Sequence, residues 1–243
     1  MIQNNNNNKK KKKKKKKEEQ EFEKLASAYY DPNNSVGFAG ASKLKAKFPT
    51  ANVDKWLQSQ PTYTLHKPVQ RRFPTRKYKA SGVNDLWQMD LMEMIPFAKI
   101  NKGYKYILTC IDVFSRFART ESVKAKDGPS VTKALRSMLK TAAPRCIQTD
   151  YGKEFYNKHV SSVMNEFNVK HYSVNSLYKA ALVERFNRTL RERLSRYFTH
   201  HGNKKWIEVL PTITESYNKS PHRSLKGNKR PIDLMVKVED FND

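Results

Sequence analysis

From residue 86 onward the chain alternates between short apolar runs and amphipathic stretches. Residues 86–95 and 104–114 are apolar runs separated by Lys99-Ile100-Asn101-Lys102-Gly103, which predicts two strands joined as a hairpin. Residues 117–123 alternate and predict a third strand. Val131, Leu135, Met138 and Leu139 then recur at helical spacing, with Asp127 or Ser130 available to cap that helix. Residues 145–150 read as a short buried strand. Tyr156, Val160, Val163 and Phe167 mark a second helix, and residues 170–174 a last strand. A third helix carries Val183, Phe186, Leu190, Leu194 and Tyr197 on one stripe, and residues 206–217 continue as helix. Three antiparallel strands followed by alternating helices and strands predict an α/β fold, a mixed five-stranded sheet flanked by helices.

Upstream the pattern is weaker. Residues 1–21 hold an asparagine run, nine consecutive lysines and then Glu18, Glu19 and Glu21; so little apolar sequence predicts a disordered tail. Residues 22–66 read as a small helical module. Leu25, Ala28 and Tyr29 form a stripe, Asp31-Pro32-Asn33-Asn34 a turn, and residues 42–48 and 53–60 two short helices around Pro49. With Lys43, Lys45 and Lys47 the module suits a helix-turn-helix DNA binder, or equally an appendage packed on the core. Residues 67–85 form a linker whose Arg71, Arg72, Arg76, Lys77 and Lys79 accompany Pro68 and Pro74, fit to lie along phosphates. Residues 86–235 form the main domain and 236–243 a C-terminal tail.

Charge narrows the partner. The net charge is +25, and the nine lysines at 9–17 leave +16 spread through the rest, which points to a polyanion, nucleic acid before an anionic membrane. No apolar run approaches the roughly 18 residues of a membrane span, and the amino terminus has no signal-peptide pattern, so a soluble intracellular protein is expected. Cys110 and Cys146 each sit inside an apolar run and read as reduced core thiols rather than a disulfide or zinc site.

Three acids stand at informative places. Asp90 interrupts an apolar strand, Asp150 ends one before the turn Tyr151-Gly152, and Glu184 opens a helix about 100° off its apolar stripe. A carboxylate in a sheet interior costs several kcal/mol unless it is paired or metal-bound. Hard oxygen donors suit magnesium or manganese, and two such ions roughly 3.5–4 Å apart can clamp the attacking and leaving oxygens of a phosphoryl displacement. Singly, each acid reads as readily as a cap or a salt-bridge partner.

The segments Trp87-Gln88-Met89-Asp90, Thr149-Asp150-Tyr151-Gly152-Lys153-Glu154-Phe155 and Leu182-Val183-Glu184-Arg185-Phe186-Asn187-Arg188-Thr189-Leu190 together resemble the three signatures of the retroviral-type integrase core, with Asp150 and Glu184 34 positions apart. Ile111-Asp112-Val113-Phe114-Ser115-Arg116-Phe117, and Tyr217-Asn218 with Pro221-His222-Arg223-Ser224, add to it. Residues 57–68 further resemble integrases of the large self-synthesising Maverick/Polinton elements, alongside related retrotransposons. The resemblance implies a ribonuclease H-like fold and a metal-binding catalytic triad of Asp90, Asp150 and Glu184 holding two Mg2+ (or Mn2+) ions. It implies 3′-end processing and strand transfer of mobile-element DNA, with double-stranded DNA and a homo-oligomeric assembly as partners. It makes Lys179, Arg185 and Arg188 DNA-binding candidates, with Arg188 also placed to pair with Glu184 across one helical turn. A nuclear location, or a viral particle, follows from the substrate.

The sequence departs from that family in places. Ala180 and Ala181 stand where glycine often precedes the glutamate helix, and Tyr151 replaces a different polar residue. No upstream His-His-Cys-Cys module is present, and no β-barrel or chromodomain is expected between Pro231 and Asp243. A domesticated or remnant DNA-binding protein without catalysis is the alternative function, and a nuclease of RNA–DNA hybrids a third. His200-His201 reads as a helix end rather than a metal site, and Asp112 as structural.

Overall fold

The computed structural model describes residues 2–66, 80–173 and 180–239, with side chains from residue 15 to 235. Most of the linker over 67–85 therefore lies outside the described residues, as does Lys179. Five strands form one sheet in the order β3-β2-β1-β4-β5. They are β1 (Leu86–Glu93), β2 (Tyr106–Asp112), β3 (Ala118–Val123), β4 (Cys146–Thr149) and β5 (Lys170–Ser173). β1 pairs antiparallel with β2 and β2 with β3, while β4 runs parallel to both β1 and β5. This is the mixed five-stranded sheet that the alternation predicts. The β1–β2 hairpin turns through a 3-10 segment, Ile95–Phe97, and left-handed Lys102 and Gly103 (φ 54° and 78°).

The helices are α1 (Ile2–Tyr30), α2 (Ala41–Lys47), α3 (Val53–Gln58), α4 (Pro61–Thr64), α5 (Gly128–Thr141), α6 (Lys158–Glu166), α7 (Ala181–His201), α8 (Leu210–Asn218) and α9 (Pro231–Glu239). Side chains alternate across a strand, so β1 feeds two cores. Trp87, Met89 and Leu91 pack with Leu135, Met138, Val160 and Val163 of α5 and α6. Met92 faces the other way, into the cluster of Val183, Phe186, Leu190, Trp206 and Ile213 around α7 and α8. Gln88 and Asp90 share the face of Met92, which turns both toward α7. Asp127 is the cap of α5: its carboxylate accepts from Ser130 N at 2.7 Å.

Three expectations need correction. Residues 1–21, predicted disordered, continue as helix from Ile2 into Tyr30. Lysine, glutamate and glutamine lose little rotamer freedom in a helix, and the packed turn at Leu25 and Tyr29 supplies the nucleus from which it propagates. Residues 206–217 are not one helix. Gly202 ends α7 in a left-handed cap (φ 64°), and Asn101 Oδ1 holds Trp206 N at 2.8 Å, so α8 starts only at Leu210 beside Pro211. The tail over 236–243 begins instead inside α9.

The N-terminal helices pack around Leu25, Tyr29, Phe38, Leu44, Trp56 and Leu57 and dock on α7 and α8. Arg196 Nη1 donates to Phe38 O at 2.6 Å, Ser216 Oγ donates to Asn34 O at 2.7 Å, and the Tyr30 and His200 rings stack at 4.0 Å. These contacts pack the module against the core.

Candidate active site

The site grows from the face of β1 that meets α7. The register sets Gln88 opposite Gln148 across the parallel β1–β4 pair, and both amides are buried. Gln88 Nε2 donates to Gln148 Oε1 at 3.1 Å, while Gln88 Oε1 accepts from Leu182 N at 2.9 Å and Val183 N at 3.3 Å. The first N–H groups of a helix have no partner within it, and Ala180 offers no capping side chain. A side chain from the sheet takes that role here. It ties the start of α7, and Glu184 with it, to the strand that carries Asp90.

Two residues beyond Gln88, Asp90 is half-buried on the same face. Its Oδ1 accepts from its neighbour Leu91 N at 2.8 Å, and its Oδ2 from Asn187 Nδ2 on α7 at 2.7 Å. Burial lifts its pKa above the usual aspartate value; the Asp150 charge adds to the rise, and the Leu91 and Asn187 bonds and the Lys126 charge oppose it. Asp150 is exposed just past the end of β4, close enough to Asp90 for the two charges to be felt. Asp90, Glu93, Glu184, Asn187, Arg188 and Arg191 line one open cleft of about 590 Å³. Glu184, exposed in the first turn of α7, lines the same cleft as Asp90.

Beside the acids lies a cation that sequence reasoning passed over. Lys126 Nζ pairs with the nearly buried Glu154 carboxylate at 3.1 Å. That hydrogen bond raises the lysine pKa, with Glu93 and Asp150 adding to the effect. Gly152 leaves room for this pair: a Cβ on it would sit 2.6 Å from the Glu154 carboxylate and displace it. Asn187, Gln88, Lys126 and Arg191 all carry parts of the site that sequence reasoning missed. For Asn187 a signal existed, since it follows Glu184 by three positions and so shares its helix face.

The predicted site residues separate into groups. Asp90 and Glu184 share the cleft, and Asp150 lies near Asp90. Arg188 lines the cleft as well, and among the described residues no ion pair joins it to Glu184. Arg185 turns away, its charge felt by Tyr217, His222 and Arg116 near α8. One residue of helix is a 100° rotation, which separates Arg185 from its neighbour Glu184. Asp112 is structural: fully buried, it accepts from Asn84 N at 2.8 Å, Ser115 N at 2.6 Å and Ser115 Oγ at 2.7 Å.

The donor set suits a divalent cation in kind. Two carboxylates whose mutual charge helps to raise one pKa are relieved by a hard cation between them. In number the fit is incomplete, because among the described residues no three His, Cys, Asp or Glu side chains converge closely enough to hold a metal ion.

Residues 80–176 match the family described as integrase core domain. A transposon-derived protein of Caenorhabditis elegans is 37% identical over 143 residues, 58% of this chain and 49% of that protein. The Gag-Pol polyprotein of feline leukemia virus is 27% identical over 140 residues, 56% of this chain and 8% of the polyprotein. The matched region thus spans about half the length of the worm protein and far less of the viral one. Among solved structures, a chain of the simian T-cell lymphotropic virus intasome, determined in complex with PP2A regulatory subunit B56 gamma, superposes with a TM-score of 0.56. That match has 18% identity and covers 84% of this chain and 74% of the other. The two share the ribonuclease H-like α/β fold.

Proposed function

We propose, from the match of residues 80–176 to the integrase core domain family, that this chain is a DNA integrase or transposase that trims the 3′ ends of mobile-element DNA and joins them to target DNA. The observation that carries this reading is that Asp90, felt by the Asp150 charge, shares one cleft with Glu184. Asp90, Asp150 and Glu184 would hold magnesium or manganese. Two such ions supply activation of the attacking water or 3′-hydroxyl and stabilisation of the leaving oxygen. Asn187 orients the Asp90 carboxylate, and Gln88 fixes the start of α7, so that Glu184 is presented from a rigid element. Arg188 and Arg191 in the cleft supply positive charge for the DNA backbone, as the chain's net +25 does at longer range.

Duplex DNA and further copies of the chain are the partners under this proposal, because two element ends must be held together. Nuclei or viral particles are where that substrate lies. Among the described residues no helix is long and apolar enough to cross a membrane.

A DNA-binding remnant without catalysis is the second reading, since the net charge of +25 serves DNA binding whether or not joining occurs. A joining assay separates the two. Purified protein, duplexes carrying candidate element ends and magnesium or manganese are incubated beside a Glu184→Gln variant. Joined products that need both metal and Glu184 support the integrase. Firm, salt-sensitive DNA binding with no product under any metal supports the remnant.

A further inference from the structure

Directly after Asp150 stands Tyr151, at 74% exposure the most exposed large apolar side chain among the described residues. It is nevertheless held in place. Its ring stacks on Tyr156 at 4.7 Å between centroids and 29° between planes, and Tyr156 stacks on His171 of β5 at 4.6 Å and 30°. His171 Nε2 in turn lies 2.9 Å from Thr149 Oγ1, on the residue that precedes Asp150. Two rings from the β4–α6 connection and one from β5 thus form a ladder anchored to the strand end that carries Asp150. Its last ring has the inner face covered and the outer face turned to solvent.

We propose that the outer face of Tyr151 is a stacking platform for an unpaired nucleobase at a DNA end. The proposal rests on the reading of the protein as a DNA-joining enzyme and says which part of the substrate this flank of the site receives. A free-standing tyrosine would lose rotamer freedom on binding a base; the ladder has already ordered this one. Every base has a π-face, whereas a base inside an intact duplex has both faces occupied by its neighbours. The platform therefore selects a frayed or overhanging nucleotide. Lys153, two positions on, is exposed and supplies charge for the flanking phosphate.

The test uses the full chain carrying Glu184→Gln, so that binding is read without chemistry. The probe is a duplex with a short single-stranded overhang containing 2-aminopurine, compared with the same duplex made blunt. Stacking quenches the probe when the overhang is bound. Tyr151→Ala should remove the quench and weaken overhang binding by about 5- to 150-fold, with blunt-duplex affinity unchanged. Tyr151→Phe and Tyr151→Trp should keep both signals, which a loss of fold would not allow. Retention of quench and affinity in Tyr151→Ala, or an equal loss on blunt and overhanging DNA, overturns the proposal. If DNA with Glu184 intact is joined normally while that result holds, only the platform is lost. A chain that binds no DNA at all overturns the platform and the integrase reading together.

Discussion

Asn187 Nδ2 donates to Asp90 Oδ2 at 2.7 Å, a bond between α7 and β1 that spans 97 positions of sequence. It stabilises the charged form of a carboxylate whose pKa burial raises. The residue behind a metal ligand typically matters about 10- to 100-fold in metal affinity or activity. Asn187→Leu should therefore lower joining by a factor in that range and raise the Asp90 pKa further, moving the acid limb of the pH–rate profile upward. Asn187→Asp adds a carboxylate beside Asp90 and should cost at least as much. Joining rates across pH and manganese concentration check both, and an unshifted acid limb in Asn187→Leu would refute the role.

Gln88 accepts two backbone N–H bonds from the first turn of α7 while its own amide donates to Gln148. Leucine at position 88 would leave both N–H groups and the Gln148 carbonyl without partners in a dry interior. Each such orphan costs about 1–3 kcal/mol, so Gln88→Leu should lower unfolding free energy by about 2 kcal/mol or more. Urea denaturation measures this. Hydrogen exchange should show the start of α7 opening before its middle, because the fastening and not the helix is what has been removed.

A methyl group at Gly152 would meet the Glu154 carboxylate at 2.6 Å. Glu154 is held in a nearly buried position by Lys126, so the carboxylate cannot swing aside without breaking that pair. Gly152→Ala should displace Glu154, release Lys126 toward Asp150 and lower both stability and joining. The double variant Gly152→Ala with Glu154→Ala removes the clash. It should regain stability relative to the single variant without regaining full joining, and thermal melts of the three proteins decide the point.

Much of the fold was legible because burial leaves a pattern in sequence. The continuous apolar runs at 86–95 and 104–114 mark strands buried on both faces, the 3.6-period stripes of α5 and α7 mark one buried helix face, and the strands and helices fall where those patterns lie. Asp90 was legible as an anomaly within such a run. What the pattern could not show was long-range partnership. Gln88 reads as one more polar residue in a strand until Gln148 and the start of α7 are brought to it by the parallel β1–β4 register. The break between α7 and α8 was hidden for the same reason. Asn101, more than 100 positions upstream, captures Trp206 N and Ile207 N, and no local propensity records that contact.

His222 offers a pH test away from the acids. Its pKa is lowered to about 4, by burial first and then by the charges of Lys43, Arg116, Arg185 and Arg223. Its Nδ1 lies 3.0 Å from Ser224 Oγ and its ring packs edge-on near Tyr217, so the neutral imidazole is the form that fits. The unfolded chain binds this proton near pH 6.5 and the folded chain only near pH 4, so protonation favours unfolding between those values. The stability that depends on neutral His222 is fully present above about pH 6.5 and is lost as pH falls through about 4, amounting to at most about 3 kcal/mol. Carboxylates titrate in the same window, so the wild-type curve alone does not isolate the effect. His222→Gln keeps a polar group of similar size without the charge. Urea denaturation of both proteins at pH 7 and near pH 4 should show the variant losing less stability on acidification, with the gap narrowing in high salt as the surrounding cations are screened. Parallel losses in the two proteins would mean that His222 titrates normally and that the four cations are kept apart by solvent.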